Sequence, residues 1–151
     1  MSSQTSRLGA LRELRGPREL ALFAYLTAFA ALVPLLMRLP LPRLAALVSR
    51  RAGAVPPPPG TVERLAALQS LAVRFGYPLV RPGCLTRGVT LFWFLRGAGL
   101  DVELRFGVDA SEGQDADGHC WLVFDGEPVL EKTDPRERFA EVFRLPRAVA
   151  A

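Results

Sequence analysis

The chain has 151 residues, 50% of them hydrophobic and 23% charged, which suits one globular domain with a real core and rules out a disordered polymer. Its formal net charge of +4 is uneven: residues 1–53 carry eight arginines against Glu13 and Glu19, and the remainder carries eleven basic and thirteen acidic residues. The remainder therefore lacks the basic, aromatic-interleaved face a nucleic-acid partner needs, Cys84 and Cys120 make no disulfide framework, and a single histidine without a CxxC pair argues against a metal site.

Taken in order, the first eighteen residues, MSSQTSRLGALRELRGPR, are basic and read as loose. Leu20 to Met37 then runs without a charge, interrupted only by Thr27 and Pro34. That length raises the question of a membrane span. Arginines flank both ends, so charge gives no orientation, and no small-residue cleavage site follows as in a signal peptide. The expectation is a hydrophobic helix, kinked or broken near Pro34, that docks on the domain or a partner or lies peripherally on a membrane. AGAVPPPPG at 52–60 is a stiff, extended spacer. The chain thus divides into a helical arm (1–53), a proline-rich linker (54–60) and a domain (61–147). Removing the arm is expected to leave the domain's site assembled.

Thr61 is placed to cap a helix whose apolar face is Val62, Leu65, Leu68, Leu71 and Ala72. GYPLVRPG breaks it and delivers the chain to Cys84, which opens a second helix that GAG at 97–99 stops. DVELRFGV at 101–108 alternates as a strand, and DASEGQDADG at 109–118 is a polar loop. HCWLVF and PVLEK flank a hairpin signal at Asp125-Gly126, and DPRERFAEVFRLP reads as a closing short helix. The order describes an α+β domain with a small antiparallel sheet.

Cys84 is the candidate nucleophile. At a helix start, free amides and the positive dipole end favour thiolate over thiol. His119 is the only histidine available as a base, and a third group must orient its ring. Glu131 and Asp134 are the candidates. A two-residue hairpin loop sets His119 opposite Lys132 and turns Glu131 to the other face. A three-residue loop pairs Phe124 with Pro128 and brings Glu131 to the histidine's face. The sequence leaves the loop length open, and the chemistry favours the longer loop. Arg87, one helical turn after Cys84, suits orienting the loop or holding a carboxylate.

These residues carry a resemblance. CLTRGVTLFWFLRGAGLDVELRFGV followed by HCWLVFDGEPV resembles the transglutaminase-like (papain-like) cysteine peptidase domain of the lasso peptide biosynthesis B2 proteins, the leader peptidases of lasso-peptide maturation. The shared pattern is Cys-Leu-x-Arg, a helix, a glycine-bearing turn, a strand ending in Gly-Val, then His-x-Trp and a glycine-containing hairpin. It spans roughly residues 60–145, and the arginine-rich hydrophobic arm is similar to that family's N-terminal region. The resemblance implies a Cys-His-Asp triad in which Cys84 is the nucleophile and His119 the base. Glu131 stands where the family usually has aspartate, with Asp134 as fallback. Cys120 stands where alanine is common, and strand alternation turns it away from His119 into a buried, packing role. Trp121 is expected in the core beneath the histidine. The resemblance further implies a precursor peptide substrate, a leader-binding (RiPP recognition element) protein and an ATP-dependent lasso cyclase as partners, with no cofactor or metal, and the two unpaired cysteines make a reducing, cytoplasmic setting the expectation. Amide transfer to an amine by the same thioester, and a non-catalytic scaffold with a degraded triad, are the alternatives.

Overall fold

The computed structural model describes residues 16–49, 52–109, 111 and 116–146. Most of the basic N-terminal stretch expected to be loose, and half of the polar loop before His119, lie outside these residues.

Helix α1 (Pro17–Leu36) opens on a proline at its first turn, where the missing N–H costs nothing. It runs through Pro34 instead of breaking there. Pro34 sits in the last turn, and Met37 still donates to the Val33 carbonyl at 2.9 Å, so the lost bond is confined to the helix end. A short α2 (Leu41–Val48) follows. The linker leads into α3 (Thr61–Gly76), whose N-cap is Gly60 and not Thr61. Thr61 instead donates its hydroxyl to the Pro58 carbonyl at 2.7 Å, bracing the proline run against the helix start. The predicted apolar face of α3 is the buried one, with Leu65, Leu68, Leu71 and Ala72 inside.

Helix α4 (Cys84–Gly97) is the axis of the molecule. Val89, Leu91, Phe92 and Leu95 are fully buried, because α1, α3 and the sheet all pack on it. Leu26 and Val33 of α1, Leu44 and Val48 of α2, and Leu65, Leu68 and Ala72 of α3 share one hydrophobic cluster with these residues. Phe29 stacks on Trp93 at 5.1 Å between ring centres, and Tyr25 meets Phe94 edge-on at 5.0 Å. The apolar arm is therefore docked on α3 and α4 and shares their core.

The sheet is antiparallel in the order β3-β2-β1-β4, with β1 Glu103–Val108, β2 Gly118–Phe124, β3 Glu127–Val129 and β4 Ala140–Leu145. β4 corrects the expectation of a closing helix. Only Pro135–Glu137 coil, as a single 3₁₀ turn capped by Asp134. Beyond it Phe143 packs on Phe106 and Leu145 is fully buried. Without β4, β1 would be an open edge with a row of unpaired backbone groups. That pairing outweighs the helical propensity of the segment.

Candidate active site

Gly83, at φ 151° and ψ 159°, is the N-cap of α4. This backbone conformation favours glycine and swings the chain from Pro82 onto the helix, so that Cys84 becomes its first residue. Cys84 is half-buried in a cleft of about 580 Å³ together with Gln69, Arg87, His119 and Glu131. His119 comes from the start of β2, where it lies near Trp121 in a nearly parallel ring arrangement with centres 6.2 Å apart. Trp121 is 1% exposed and forms the floor beside the imidazole.

The hairpin has the two-residue loop, not the three-residue one: Phe124 pairs with Glu127, and Asp125 and Gly126 both have positive φ. Simple alternation would then have turned Glu131 away. The ladder instead stops at Val129, and Leu130 adopts φ 61°. This left-handed residue breaks the period of two and delivers Glu131 to the imidazole, with Oε2 3.2 Å from His119 Nε2. A carboxylate only accepts, so the proton sits on Nε2 and Nδ1 is left for the thiol. The other oxygen of Glu131 accepts from Arg87 Nη2 at 2.6 Å, so Arg87 does hold a carboxylate. Asp134 is engaged elsewhere: it accepts from the backbone and guanidinium of Arg136, which holds its carboxyl below the usual range.

The thiol of Cys84 is lowered from 9.0 to about 5. The largest cause is a hydrogen bond from the Cys120 side chain. Burial works against it, and the Cys120 backbone and His119 add to the lowering. Alternation does turn Cys120 away from His119 and bury it, at 2% exposed, but it points the thiol at the helix that carries Cys84. Gly88, one turn after Cys84, makes the room: a Cβ there would lie 2.9 Å from Cys120 Sγ. The same hydrogen bond, with burial, pushes the Cys120 thiol strongly up, so it stays a donor to the Cys84 thiolate. Sequence reasoning gave Cys120 a packing role only. The available signal was the glycine four residues after Cys84, opposite the helix-facing side of β2. Among the described residues no cluster of His, Cys, Asp or Glu is placed to hold a metal ion.

The family model of the Transglutaminase-like superfamily matches residues 24–144, from within α1 to the end of the sheet. Neither the curated proteins nor the solved structures contain a match. Since that match takes in most of the chain, the arm helix included, the chain belongs to the transglutaminase-like superfamily.

Proposed function

We propose that this chain is a cysteine peptidase that removes the leader segment from a lasso-type ribosomal precursor peptide. The observation that carries the reading is the convergence of an acidic Cys84 thiol, His119 and Glu131 in one cleft, with the carboxylate 3.2 Å from the imidazole. The Cys84 thiolate, its proton already passed to His119, attacks the scissile carbonyl, and His119 gives that proton to the leaving amine, leaving the leader as a thioester on Cys84. Water then attacks the thioester with His119 as base, releasing the leader as a carboxylic acid and restoring the thiol. Glu131 orients the imidazole and supports its protonated form. A leader-binding protein presents the substrate, and an ATP-dependent cyclase uses the freed amine. The formed Cys-His-Glu arrangement favours an enzyme over a scaffold with a degraded triad.

Helix α1 is long and apolar enough to cross a membrane. Its residues Leu20, Leu32 and Leu35 are exposed, as are Arg18 and Arg38 near its two ends and Arg43 in α2, and this supports a peripheral association with an anionic membrane surface in the cytoplasm.

The test is reconstitution with a precursor peptide and its leader-binding protein, following the products by mass. Cleavage that is lost in Cys84→Ala, with a free carboxylate on the leader, supports the peptidase. A leader joined to an added amine points to transfer instead, and unchanged cleavage by Cys84→Ala overturns the mechanism.

A further inference from the structure

The chain has two cysteines, both free, and the fold brings them together across the contact between α4 and β2. Cys120 belongs to the buried cluster at that contact, and Cys84 packs against the cluster. Gly88 shows how close the approach is. A Cβ there would lie 2.9 Å from Cys120 Sγ and 2.9 Å from Leu104 Cδ1, so no larger residue fits at this level. Cys84 stands one turn earlier on the same helix face, and the Cys120 thiol donates to its sulfur.

The two sulfurs differ in what can reach them. Cys84 is half-buried and lines the open cleft with His119, whereas Cys120 is 2% exposed and sealed in the core. A small oxidant entering the cleft therefore meets Cys84 first, with the chain's other thiol already at its side. An accessible thiolate backed by a second thiol is the arrangement that ends oxidation at a disulfide.

We propose that Cys84 and Cys120 form a dithiol that a hydroperoxide oxidises to an internal disulfide, a reversible covalent state of this site. The chemistry depends on the two thiols and not on which bond the site cleaves. The Cys84 thiolate attacks one peroxide oxygen, an S–O bond forms and the O–O bond breaks. The departing hydroxide takes a proton from protonated His119 and leaves as water, and Cys84 is now a sulfenic acid. The hydrogen bond to the Cys84 thiolate, burial and the charge of that thiolate had together kept Cys120 protonated. The first and last of these weaken once the Cys84 sulfur is neutral. Cys120 sulfur then attacks Cys84 sulfur, the S–S bond forms and the S–O bond breaks, and hydroxide leaves with the Cys120 proton as a second water. The two thiols have given two electrons to the peroxide. Cys84 opens α4, where the first amides carry no intrahelical bond, so the turn can close the remaining distance without disturbing the helix ladder. In the disulfide the electron pair that attacks a carbonyl is tied up, and a dithiol reductant frees it by exchange.

The test treats the reduced full-length chain with hydrogen peroxide, blocks remaining thiols with N-ethylmaleimide, and maps the peptides by mass without reductant. The expected product is a Cys84–Cys120 cross-link with the loss of two hydrogens and no bound maleimide. Iodoacetamide reactivity should be lost with the cross-link and restored in full by dithiothreitol. In Cys120→Ala, compared at a pH where Cys84 is ionised in both proteins, peroxide should drive Cys84 to a sulfinic acid that dithiothreitol does not restore; Cys120→Ser serves if that variant does not fold. Two outcomes in the wild-type chain overturn the pairing, at a peroxide dose that converts free cysteine to cystine. One is maleimide on both cysteines, and the other is Cys84 held as a dimedone-trapped sulfenic acid or linked to a second molecule. Oxidation of Cys120 at the wild-type rate in Cys84→Ala overturns it as well. Cleavage of the precursor by the reduced chain is read separately, so the peptidase assignment stands or falls on its own.

Discussion

The two ends of the chain make opposite use of similar apolar material. Helices α1 and α2 bury Leu26, Ala30, Val33, Leu44 and Val48 and bring no side chain to the Cys84 cleft. Helix α4 and the sheet bury as densely, yet they also carry Cys84, Arg87, Cys120 and His119. The difference lies in where the elements end. Cys84 and Arg87 sit in the first turn of α4, and His119 sits near the start of β2, where packing is incomplete and a polar group meets the cleft without being sealed in. The arm supplies wall; the element ends supply chemistry.

The largest effect expected is on the wall. Deleting residues 1–53 removes a side of the common core, which reverses the expectation that the site stays assembled without the arm. Loss of the cooperative unfolding transition checks this, and survival of a folded, alkylatable Cys84 would separate the two regions after all. Within the intact arm, Leu26→Ala should cost about 2–5 kcal/mol in urea unfolding, because Leu26 is fully buried.

On the chemical side, Glu131→Gln should lower turnover of the precursor by about 10²–10⁴ with the fold unchanged, and Asp134→Asn should leave turnover near wild type. The reverse ranking would give the orienting role to Asp134. Arg87→Leu, which removes the partner of Glu131 without touching the imidazole, should cost on the order of tenfold in kcat.

The smallest effect is a shift in pH dependence. With the Cys84 pKa at about 5, its iodoacetamide rate should rise through that pH and level off above it, because the thiolate is the reactive form. Cys120→Ala removes the largest cause of the lowering. The midpoint then moves up toward 9.0, and the rate just above the wild-type midpoint falls. An unmoved profile would return Cys120 to a packing role.

Periodicity made α3, α4, β1 and β2 legible, because their apolar residues repeat at the helical or strand spacing and their ends carry glycine or proline. The candidate nucleophile and base stand out because cysteine at a helix start and a lone histidine leave few choices. The rest depends on neighbours. Whether 140–145 is helix or strand is decided by the open edge of β1, which no local pattern announces. Cys120 is apolar by composition and becomes a donor only when Gly88 lets the helix come close. Glu131 lies beside His119 although the hairpin has the shorter loop, because Leu130 compensates for a turn one residue shorter than the chemistry favours.

That single left-handed residue has a consequence for how such a site can vary. An acid carried within β3 would be committed to one face by the ladder, and any change of turn length would move it to the other. By ending the ladder at Val129 and bending at Leu130, the chain makes the carboxylate's reach depend on the distance from bend to ring alone. Side-chain length and bend position then become interchangeable: a glutamate from a distant bend and an aspartate from a nearer one solve the same spacing. Exchange between the two acids can proceed by small shifts of the loop, with every strand pairing left in place.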